Sequence, residues 1–421
     1  MAGRASKPSE LTITSYQVGF GDCYLLSFHY EDADRHVLID FGTKFRSKVG
    51  FKADMVKIAN QIAEDCGRAA GEGGKLTMVV ATHRHYDHIS GFTTKKNGKG
   101  PGDIIRSLEP ELVVQPWTED PELPEDARAP KALARAHVRS LASMSEFAAS
   151  VTANLDAMMD TRDAAVSAAA DELSYLGSDN ITNRSAVENL MTLGARKPKY
   201  LHLGSRLDVR TLLPGVKIHV LGPPTLDQNP SLKSYAKNSD QYWKLQALAA
   251  RPRSFSGHGA VSFRGGRREV PVPARWFAHR LDMMRADSLL AIVRSLDGVI
   301  NNTSLILLFE VGSKRLLFPG DAQVENWSSA LEDDKIRKLL KDVDVYKVGH
   351  HGSRNATPID LWQGFENRKK KKFNTFLSTL AGEYNEVPRE SLADALREES
   401  SLHSTENFQP HELFERTTLK L

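Results

Sequence analysis

The fold is decided by the stretch Ala81-Thr-His-Arg-His-Tyr-Asp-His-Ile-Ser-Gly-Phe92, which directly follows the apolar run Met78-Val-Val80. A short β-branched run of this kind predicts a buried strand. Because α/β sheets carry their sites in the loops at the carboxyl ends of strands, the polar stretch is expected in such a loop. It contains four side chains that can bind metal ions: His83, His85, Asp87 and His88.

The spacing His-x-His-x-Asp-His predicts a metal site. Imidazoles combined with a carboxylate favour zinc, manganese or iron over calcium, which takes oxygen ligands. The opposing interpretation is a solvated loop that is rich in histidine by chance. We favour the metal site because the pattern is long and chemically coherent.

Composition favours an α/β protein with a large core. The chain has 421 residues, 40% of them hydrophobic, and a formal net charge of +3, so attraction to polyanions would have to come from local clusters. No apolar stretch is long enough to cross a bilayer, and the first eight residues lack the apolar core of a secretory signal. With two cysteines, Cys23 and Cys66, no disulfide framework is expected. We therefore expect a cytoplasmic protein without a membrane partner.

Elements before and after the motif alternate between strand and helix patterns. Leu11–Val18 and Cys23–His29 predict an opening hairpin, and Val37–Thr43 predicts a third strand that carries Asp40 near its end. Further along, the pattern predicts helices over 54–69 and 103–108 and strands over 111–117, 200–203 and 216–221.

The second half repeats this arrangement. Residues 301–311 and 314–322 predict a hairpin that ends at Asp321, and the strand 343–348 precedes His350-His-Gly-Ser353. Phe376–Thr379 is expected to be a closing strand, followed by a helix over 389–396. Polar residues that can bind metals therefore follow strands in both halves of the chain.

Several of these motifs carry a resemblance to a known family. His-x-His-x-Asp-His and Phe318-Pro-Gly-Asp-Ala322 resemble signatures of the metallo-β-lactamase superfamily. Val18-Gly-Phe-Gly-Asp-Cys23 and Leu38-Ile-Asp-Phe-Gly42 are similar to the start of metallo-β-lactamase domains of the ComEC competence-protein type. The resemblance implies a four-layer αβ/βα sandwich over 1–421, with a helical insertion at 128–178 and a basic insertion at 225–300.

The resemblance also implies two divalent metal ions, zinc or manganese. His83 and His85 would bind the first ion and the Asp87–His88 pair the second. Asp321 would bridge both, since two dications about 3.5 to 4 Å apart repel each other unless an anion lies between them.

One of His350 and His351 would complete the second site, while the other, or Asp87, would handle protons or contact the substrate. Asp22, Asp40, Lys347 and Ser353 are expected around the ligands or the substrate. For Asp22 a plain turn residue is an equal alternative, and for Lys347 a place at the edge of the core.

The sequence departs from the family at three points. Phe20 stands where ComEC-type domains usually have Gln, and Val387 where they often have His. A third His for the first metal is also missing between His88 and His137. Substitutes are Glu119, Asp120, His137 and His258, and the first site is otherwise incomplete or completed by water.

The two insertions are read from composition. Lys131–Leu176 is rich in Ala and Leu at helical spacing, and a lid, a dimer contact or a packing brace all fit. The segment Arg251–Arg285 interleaves arginines with aromatic residues, which predicts contacts with nucleic acid, for example through Arg264, Arg267 and Arg268. A solvated basic loop is the alternative.

ComEC-type domains are associated with DNA degradation, so the resemblance implies a phosphodiesterase or nuclease that uses a metal-activated water. A hydrolase of small esters, lactones or phosphocholine-type esters is the alternative enzyme. A non-catalytic binding module is the third possibility.

Overall fold

The computed structural model describes residues 7–44, 47, 49–67, 74–120, 183–225, 227–229, 300–353, 356–368, 370, 373–384, 387–409 and 411–421. All of them belong to one compact unit of the chain. The helical insertion at 128–178 and nearly all of the basic insertion at 225–300 lie outside the described residues. So do five residues proposed above: His137, His258, Arg264, Arg267 and Arg268.

Strands of the described residues form two mixed sheets. The first sheet has the order β13-β1-β2-β3-β4-β5-β6 and the second the order β12-β11-β10-β9-β8-β7. The strand bounds of the first half are β1 (Glu10–Tyr16), β2 (Cys23–His29), β3 (Arg35–Phe41), β4 (Met78–Val80), β5 (Leu112–Pro116) and β6 (Lys199–Leu201). Those of the second half are β7 (Val216–Gly222), β8 (Ile306–Val311), β9 (Lys314–Phe318), β10 (Val345–Lys347), β11 (Asn374–Leu377), β12 (Ser401–Ser404) and β13 (Phe414–Lys420).

Eight α-helices connect these strands within the described residues. They are α1 (Met55–Asp65), α2 (Tyr86–Ile89), α3 (Pro101–Arg106), α4 (Arg184–Thr192), α5 (Val324–Leu331), α6 (Asp334–Lys341), α7 (Ile359–Gly364) and α8 (Glu390–Glu399). Crossing a bilayer takes about 20 apolar residues. None of the helices in the described part of the chain is long and apolar enough for that.

Alternation along the strands separates three layers of core. In β4, Met78 and Val80 pack into a cluster shared by both sheets, while Val79 points the other way. Val79 belongs to a second cluster with Ile58 of α1 and Leu190 of α4. A third cluster packs the far face of the second sheet against helices α5 to α8. The two sheets therefore face each other, and helices cover both outer faces.

The parallel strands direct their carboxyl ends toward the candidate site. Strands β3 to β6 are parallel neighbours in the first sheet, and β9 to β12 are parallel neighbours in the second. The motif of residues 83–88 follows β4, and Asp321 follows β9. Hence each sheet supplies its candidate ligands from the ends of its own strands.

Most predicted elements are confirmed, with some corrections. The opening hairpin and the strand before the motif are present. The first helix ends at Asp65, with Cys66 as its C-cap, rather than at residue 69. The strand at Phe376 does not close the fold, because β12 extends the second sheet and β13 pairs with β1 across nearly the whole chain length.

Candidate metal centre

Close backbone packing fixes the loop that carries the motif. Asp87 and His88 lie in the single turn of α2 and are buried. A Cβ atom at Gly42 would overlap the backbone of Asp87, so only glycine allows this approach. The Asp22 N–H also donates to the Asp87 carbonyl at 3.1 Å. The opening hairpin and the end of β3 thus hold the motif in place.

Strained backbone is concentrated at the same place. Among the described non-glycine residues, Asp40, His350 and His351 have φ values of 54°, 43° and 53°, and only Glu109 shares this region. Such conformations cost about 1 to 3 kcal/mol each and persist where the surrounding structure imposes them. Here they lie at Asp40, whose carboxylate contacts His88, and at the adjacent residues His350 and His351, which follow β10.

Four buried side chains converge: Asp87, His88, Asp321 and His351 each place a potential ligand atom within 4.8 Å of the others. His88 Nε2 lies 3.1 Å from Asp321 Oδ2. His351 Nε2 lies 3.1 Å from Asp87 Oδ2 and 3.7 Å from Asp321 Oδ2. We call these four residues the carboxylate-rich group.

Hydrogen bonds on the far side of the rings fix which nitrogens face the group. His351 Nδ1 lies 2.9 Å from the Ser378 carbonyl, which can only accept, so Nδ1 carries the proton. His88 Nδ1 donates in the same way to Asp40 Oδ2 at 2.8 Å. In the neutral rings both Nε2 lone pairs therefore face carboxylate oxygens. Two acceptors face each other stably only when a cation or a proton lies between them.

The pKa values of His88 and His351 are raised by the carboxylates that face these rings. Burial alone would lower the pKa of His88, but Asp321, Asp87 and Asp40 outweigh burial and raise it. The pKa of His351 is raised in the same way, chiefly by Asp321 against burial. Without a metal ion, protons on these rings balance the carboxylates. A divalent ion bound here displaces those protons.

His83 is also prepared as a ligand. The Thr82 hydroxyl donates to Asp40 Oδ2 at 2.7 Å, so toward His83 Nδ1, at 3.2 Å, it can only accept. His83 Nδ1 is then protonated and its Nε2 lone pair is available. That Nε2 atom is buried and makes no hydrogen bond among the described residues.

His83 and His85 form a second part of the centre, which we call the imidazole pair. Their ring centroids are 4.7 Å apart, and the His83 ring lies 4.1 Å from that of His88. Burial lowers the pKa of His85 to about 4 and also lowers that of His83. Within the described residues neither belongs to a group of three or more clustered metal-binding side chains.

The expected substitutes for a third histidine do not fill this gap in the described residues. Both oxygens of Glu119 accept hydrogen bonds from Arg84, at 2.9 and 2.8 Å. Asp120 is buried but does not join the clustered groups among the described residues.

Charge balance also fits metal ions. Asp22, Asp40, Asp87 and Asp321 are each at most 5% exposed. Within the described residues their one buried lysine partner is Lys347, which contacts the Asp22 carboxylate and lies 3.5 Å from Asp321 Oδ1. Burial alone would lower the pKa of Lys347, but Asp22 and Asp321 raise it, so it stays charged. Three of these carboxylates are left without a lysine partner among the described residues, and their charge is balanced by protonated imidazoles or by bound metal ions.

His350 is placed differently from its neighbour. The Nε2 atom of His350 lies 3.3 Å from Asn301 Nδ2, and its Nδ1 atom lies 2.7 Å from Ser353 Oγ. Its backbone N–H donates to Asp321 Oδ1 at 3.1 Å. Burial lowers the pKa of this imidazole. The geometry thus brings His351 into the carboxylate-rich group and leaves His350 beside it, with Ser353.

Other predicted residues lie around this centre, with some that the sequence did not reveal. Asp40 contacts His88, and Asp22 contacts Lys347. Phe20 packs its ring against His351, with the ring centroids 4.1 Å apart. Sequence reasoning missed Thr82 and Ser378 as partners of the imidazoles. Thr82 stands directly before His83, so a hydroxyl at the start of the motif was the available signal.

Comparison with known proteins adds no family assignment. No model of a known protein family matches the chain, and no curated protein matches its sequence.

Proposed function

We propose that the protein is a metal-dependent hydrolase with a four-layer αβ/βα metallo-β-lactamase sandwich and two divalent ions, zinc or manganese. The observation that carries this proposal is the carboxylate-rich group, in which two imidazole lone pairs face buried carboxylate oxygens. The layering of helices outside two facing sheets supports the same fold. Cys23 and Cys66 are buried thiols, in keeping with a cytoplasmic setting.

Each residue has a distinct task in this proposal. Asp87, His88, Asp321 and His351 hold one ion, and His83 and His85 contribute to the other. Asp321 presents Oδ2 to the imidazoles, while its Oδ1 is anchored by the His350 N–H. Asp40, Thr82 and Ser378 keep the imidazoles in the tautomers that leave Nε2 unprotonated.

Bound in this centre, divalent ions lower the pKa of a coordinated water and stabilise negative charge that develops on the substrate. Asp87 Oδ1 makes no hydrogen bond among the described residues, so it is available to orient the water and accept its proton. The proton that Asp87 takes from the water passes to the leaving group, and His350, which burial keeps neutral next to Ser353, is placed to contact the substrate.

A phosphodiester is the favoured substrate, as in a nuclease or phosphodiesterase. This part rests on the similarity to ComEC-type domains and on the arginines of the segment 251–285. The small-molecule alternative has one observation in its favour. The carboxylate-rich group is at most 5% exposed, which suits a small ester or lactone group that can enter.

The test begins with metal content and turnover. We expect about two transition-metal ions per chain after metal-replete purification. The loaded protein is then assayed with single- and double-stranded DNA, RNA, bis-p-nitrophenyl phosphate and a lactone. Absence of bound metal would refute the hydrolase proposal, and turnover of the lactone alone would select the small-molecule alternative.

A charge reversal separates nucleic acid from small substrates. If Arg264, Arg267 and Arg268 neutralise phosphates, replacing all three with Glu reduces DNA affinity and flattens its salt dependence, because fewer counterions are released. Cleavage of bis-p-nitrophenyl phosphate should stay near the parent rate. A parent protein that binds neither DNA nor RNA at low salt would contradict the nuclease version.

A further inference from the structure

A chain of hydrogen bonds leads from a buried amide to a half-buried hydroxyl beside the metal centre. Asn301 Nδ2 lies 3.3 Å from His350 Nε2, and His350 Nδ1 lies 2.7 Å from Ser353 Oγ. Asn301 is fully buried, whereas His350 and Ser353 are half-buried. The chain therefore runs outward from the core, and Ser353 is its accessible end.

The chemistry of the amide sets the direction of this chain. An amide nitrogen can only donate, so His350 Nε2 accepts from Asn301, and the neutral ring carries its proton on Nδ1. His350 Nδ1 then donates to Ser353 Oγ. Among the described residues the Ser353 hydroxyl has no other hydrogen-bond partner, so its own proton is left to donate elsewhere.

Backbone contacts hold both ends of the chain next to the metal centre. The His350 N–H donates to Asp321 Oδ1 at 3.1 Å. The Ser353 N–H donates to the His350 carbonyl at 2.9 Å, which closes the turn that places the hydroxyl beside the ring. At the buried end, the Ser304 N–H donates to the Asn301 carbonyl at 3.0 Å, and Ser304 Oγ accepts from the Asp321 N–H at 3.2 Å.

We propose that the Ser353 hydroxyl binds the substrate by donating to a non-bridging phosphate oxygen, and that Asn301 is a positioning residue that fixes the direction of the chain through His350. This inference rests on the proposed function and adds a substrate contact to it. The carboxylate-rich group is at most 5% exposed, whereas Ser353 is half-buried and so within reach of a substrate that arrives from solvent. Since both nitrogens of His350 are engaged, its polar contact with the substrate is made through Ser353.

The opposite direction would give Ser353 a different role. If the Asn301 amide were turned over, its oxygen would accept from His350 Nε2, and Nδ1 would accept the hydroxyl proton of Ser353. Ser353 Oγ would then be an activated nucleophile. The two directions predict different tautomers of His350 and different kinetics.

The tautomer is read by nitrogen NMR of the zinc-loaded protein with isotope-labelled histidine, without any substrate. The signals of His350 are identified by their loss in His350→Gln. We expect a protonated Nδ1 and an unprotonated Nε2 in the parent. In Asn301→Asp the carboxylate can only accept, so the proton should move to Nε2. A proton on Nε2 of the parent would overturn the inference, whether or not the protein is a hydrolase.

Kinetics with bis-p-nitrophenyl phosphate test the contact itself. Ser353→Ala should raise KM about tenfold and leave kcat within about twofold, because the hydroxyl binds substrate and transition state alike. Asn301→Asp should raise KM to a similar extent, since Ser353 then donates its proton to His350 Nδ1. Adding Ser353→Ala to Asn301→Asp should change nothing further, because both act on one contact. Ser353→Thr keeps the hydroxyl and should match the parent.

Asn302→Ala is the matched control. The Asn302 amide donates to Glu325 Oε2 at 3.1 Å, so this variant should keep the parent KM even where it lowers thermal stability. A collapse of kcat in Ser353→Ala would indicate a nucleophile, and an unchanged KM would indicate no contact. Either result overturns the inference while leaving the hydrolase proposal intact, whereas a parent without turnover would remove both.

Discussion

The carboxylate-rich group and the imidazole pair use the same kind of ligand in opposite electrostatic settings. In the first, Asp87 and Asp321 raise the pKa of His88 and His351 against the effect of burial. In the second, burial lowers the pKa of His83 and His85, and nearby imidazoles lower it further. Asp87 and Asp321 raise these two pKa values, but they offset only part of the decrease. The difference shows that neighbouring carboxylates, rather than the histidines alone, decide where a cation is most strongly required.

Asp321→Ala should have the largest effect. The variant removes the carboxylate that faces both His88 and His351 and that receives the His350 N–H. We expect loss of tightly bound metal and a fall in turnover of about a thousandfold or more, while the fold persists. Elemental analysis and the phosphodiester assay measure both quantities.

A matched control for this variant lies at the amino end of β10, the parallel neighbour of the strand that Asp321 follows. Asp344 precedes that strand and accepts from Lys314 and from the Arg315 N–H, so it is a structural carboxylate. Asp344→Asn should keep its metal and its turnover even where it lowers thermal stability. Unchanged turnover in Asp321→Ala would exclude Asp321 from the mechanism.

Stepwise metal removal is the next largest effect expected. A chelator should strip the ion of the imidazole pair first and that of the carboxylate-rich group last. Loss of the ion of the carboxylate-rich group should lower the free energy of unfolding by about 4 kcal/mol, if the free metal concentration was a thousand times the dissociation constant of that ion. Denaturation midpoints and bound metal are followed together along the titration. Release of both ions in one step would contradict the difference between the two parts.

The resemblance to the metallo-β-lactamase superfamily implied the carboxylate-rich group in part, and the strand patterns placed its members after strands. Asp87 and His88 are neighbours in the motif, and Asp321 lies at the end of the hairpin predicted for residues 301–311 and 314–322. The choice between His350 and His351 was out of reach, because both have positive φ and the side chains diverge from adjacent residues. Only the fold reveals which ring meets Asp87.

Long-range pairings were equally hidden. β13 is a polar, half-exposed strand that pairs with β1, with Thr12 opposite Thr418. Its pattern gives little hydrophobic signal, and no local rule connects positions so far apart. The sequence did not predict the Arg84–Glu119 ion pair for a similar reason, because the pair forms only when β4 and β5 are neighbours in the sheet. Glu119 had therefore been considered as a ligand instead.

Thr82→Val tests the support of the imidazoles and should have a smaller effect. The Thr82 hydroxyl holds the tautomer of His83 and donates to Asp40, which orients His88. Loss of such outer contacts weakens metal binding by about 10- to 100-fold. Thr82→Ser keeps the hydroxyl and should retain the parent affinity. Equal weakening in Ser and Val would indicate that the methyl group, not the hydroxyl, is what matters.

The smallest expected effect concerns His36, a buried histidine at the opposite end of β3 from Asp40. Its Nδ1 pairs with the Ser27 hydroxyl at 2.9 Å, and burial lowers its pKa to about 4. Asp34 raises this pKa but does not outweigh burial, and His29 lowers it further. His36 therefore resembles the imidazole pair in its electrostatics without being near a metal ligand.

The sign of its pH dependence follows from that shift. The unfolded chain binds a proton at His36 near pH 6.5 and the folded chain only near pH 4, so stability is lost as pH falls from about 6.5 toward 4. Between pH 7.5 and 5.5 the loss from this residue should be roughly 1 kcal/mol. His36→Gln should remove that part of the slope, measured by urea denaturation of variant and parent at both pH values. Subtracting the parent isolates His36 from metal release, which both proteins share. Parallel pH profiles would mean that His36 titrates alike in both states, and burial would then not be enough to keep an imidazole neutral in this fold.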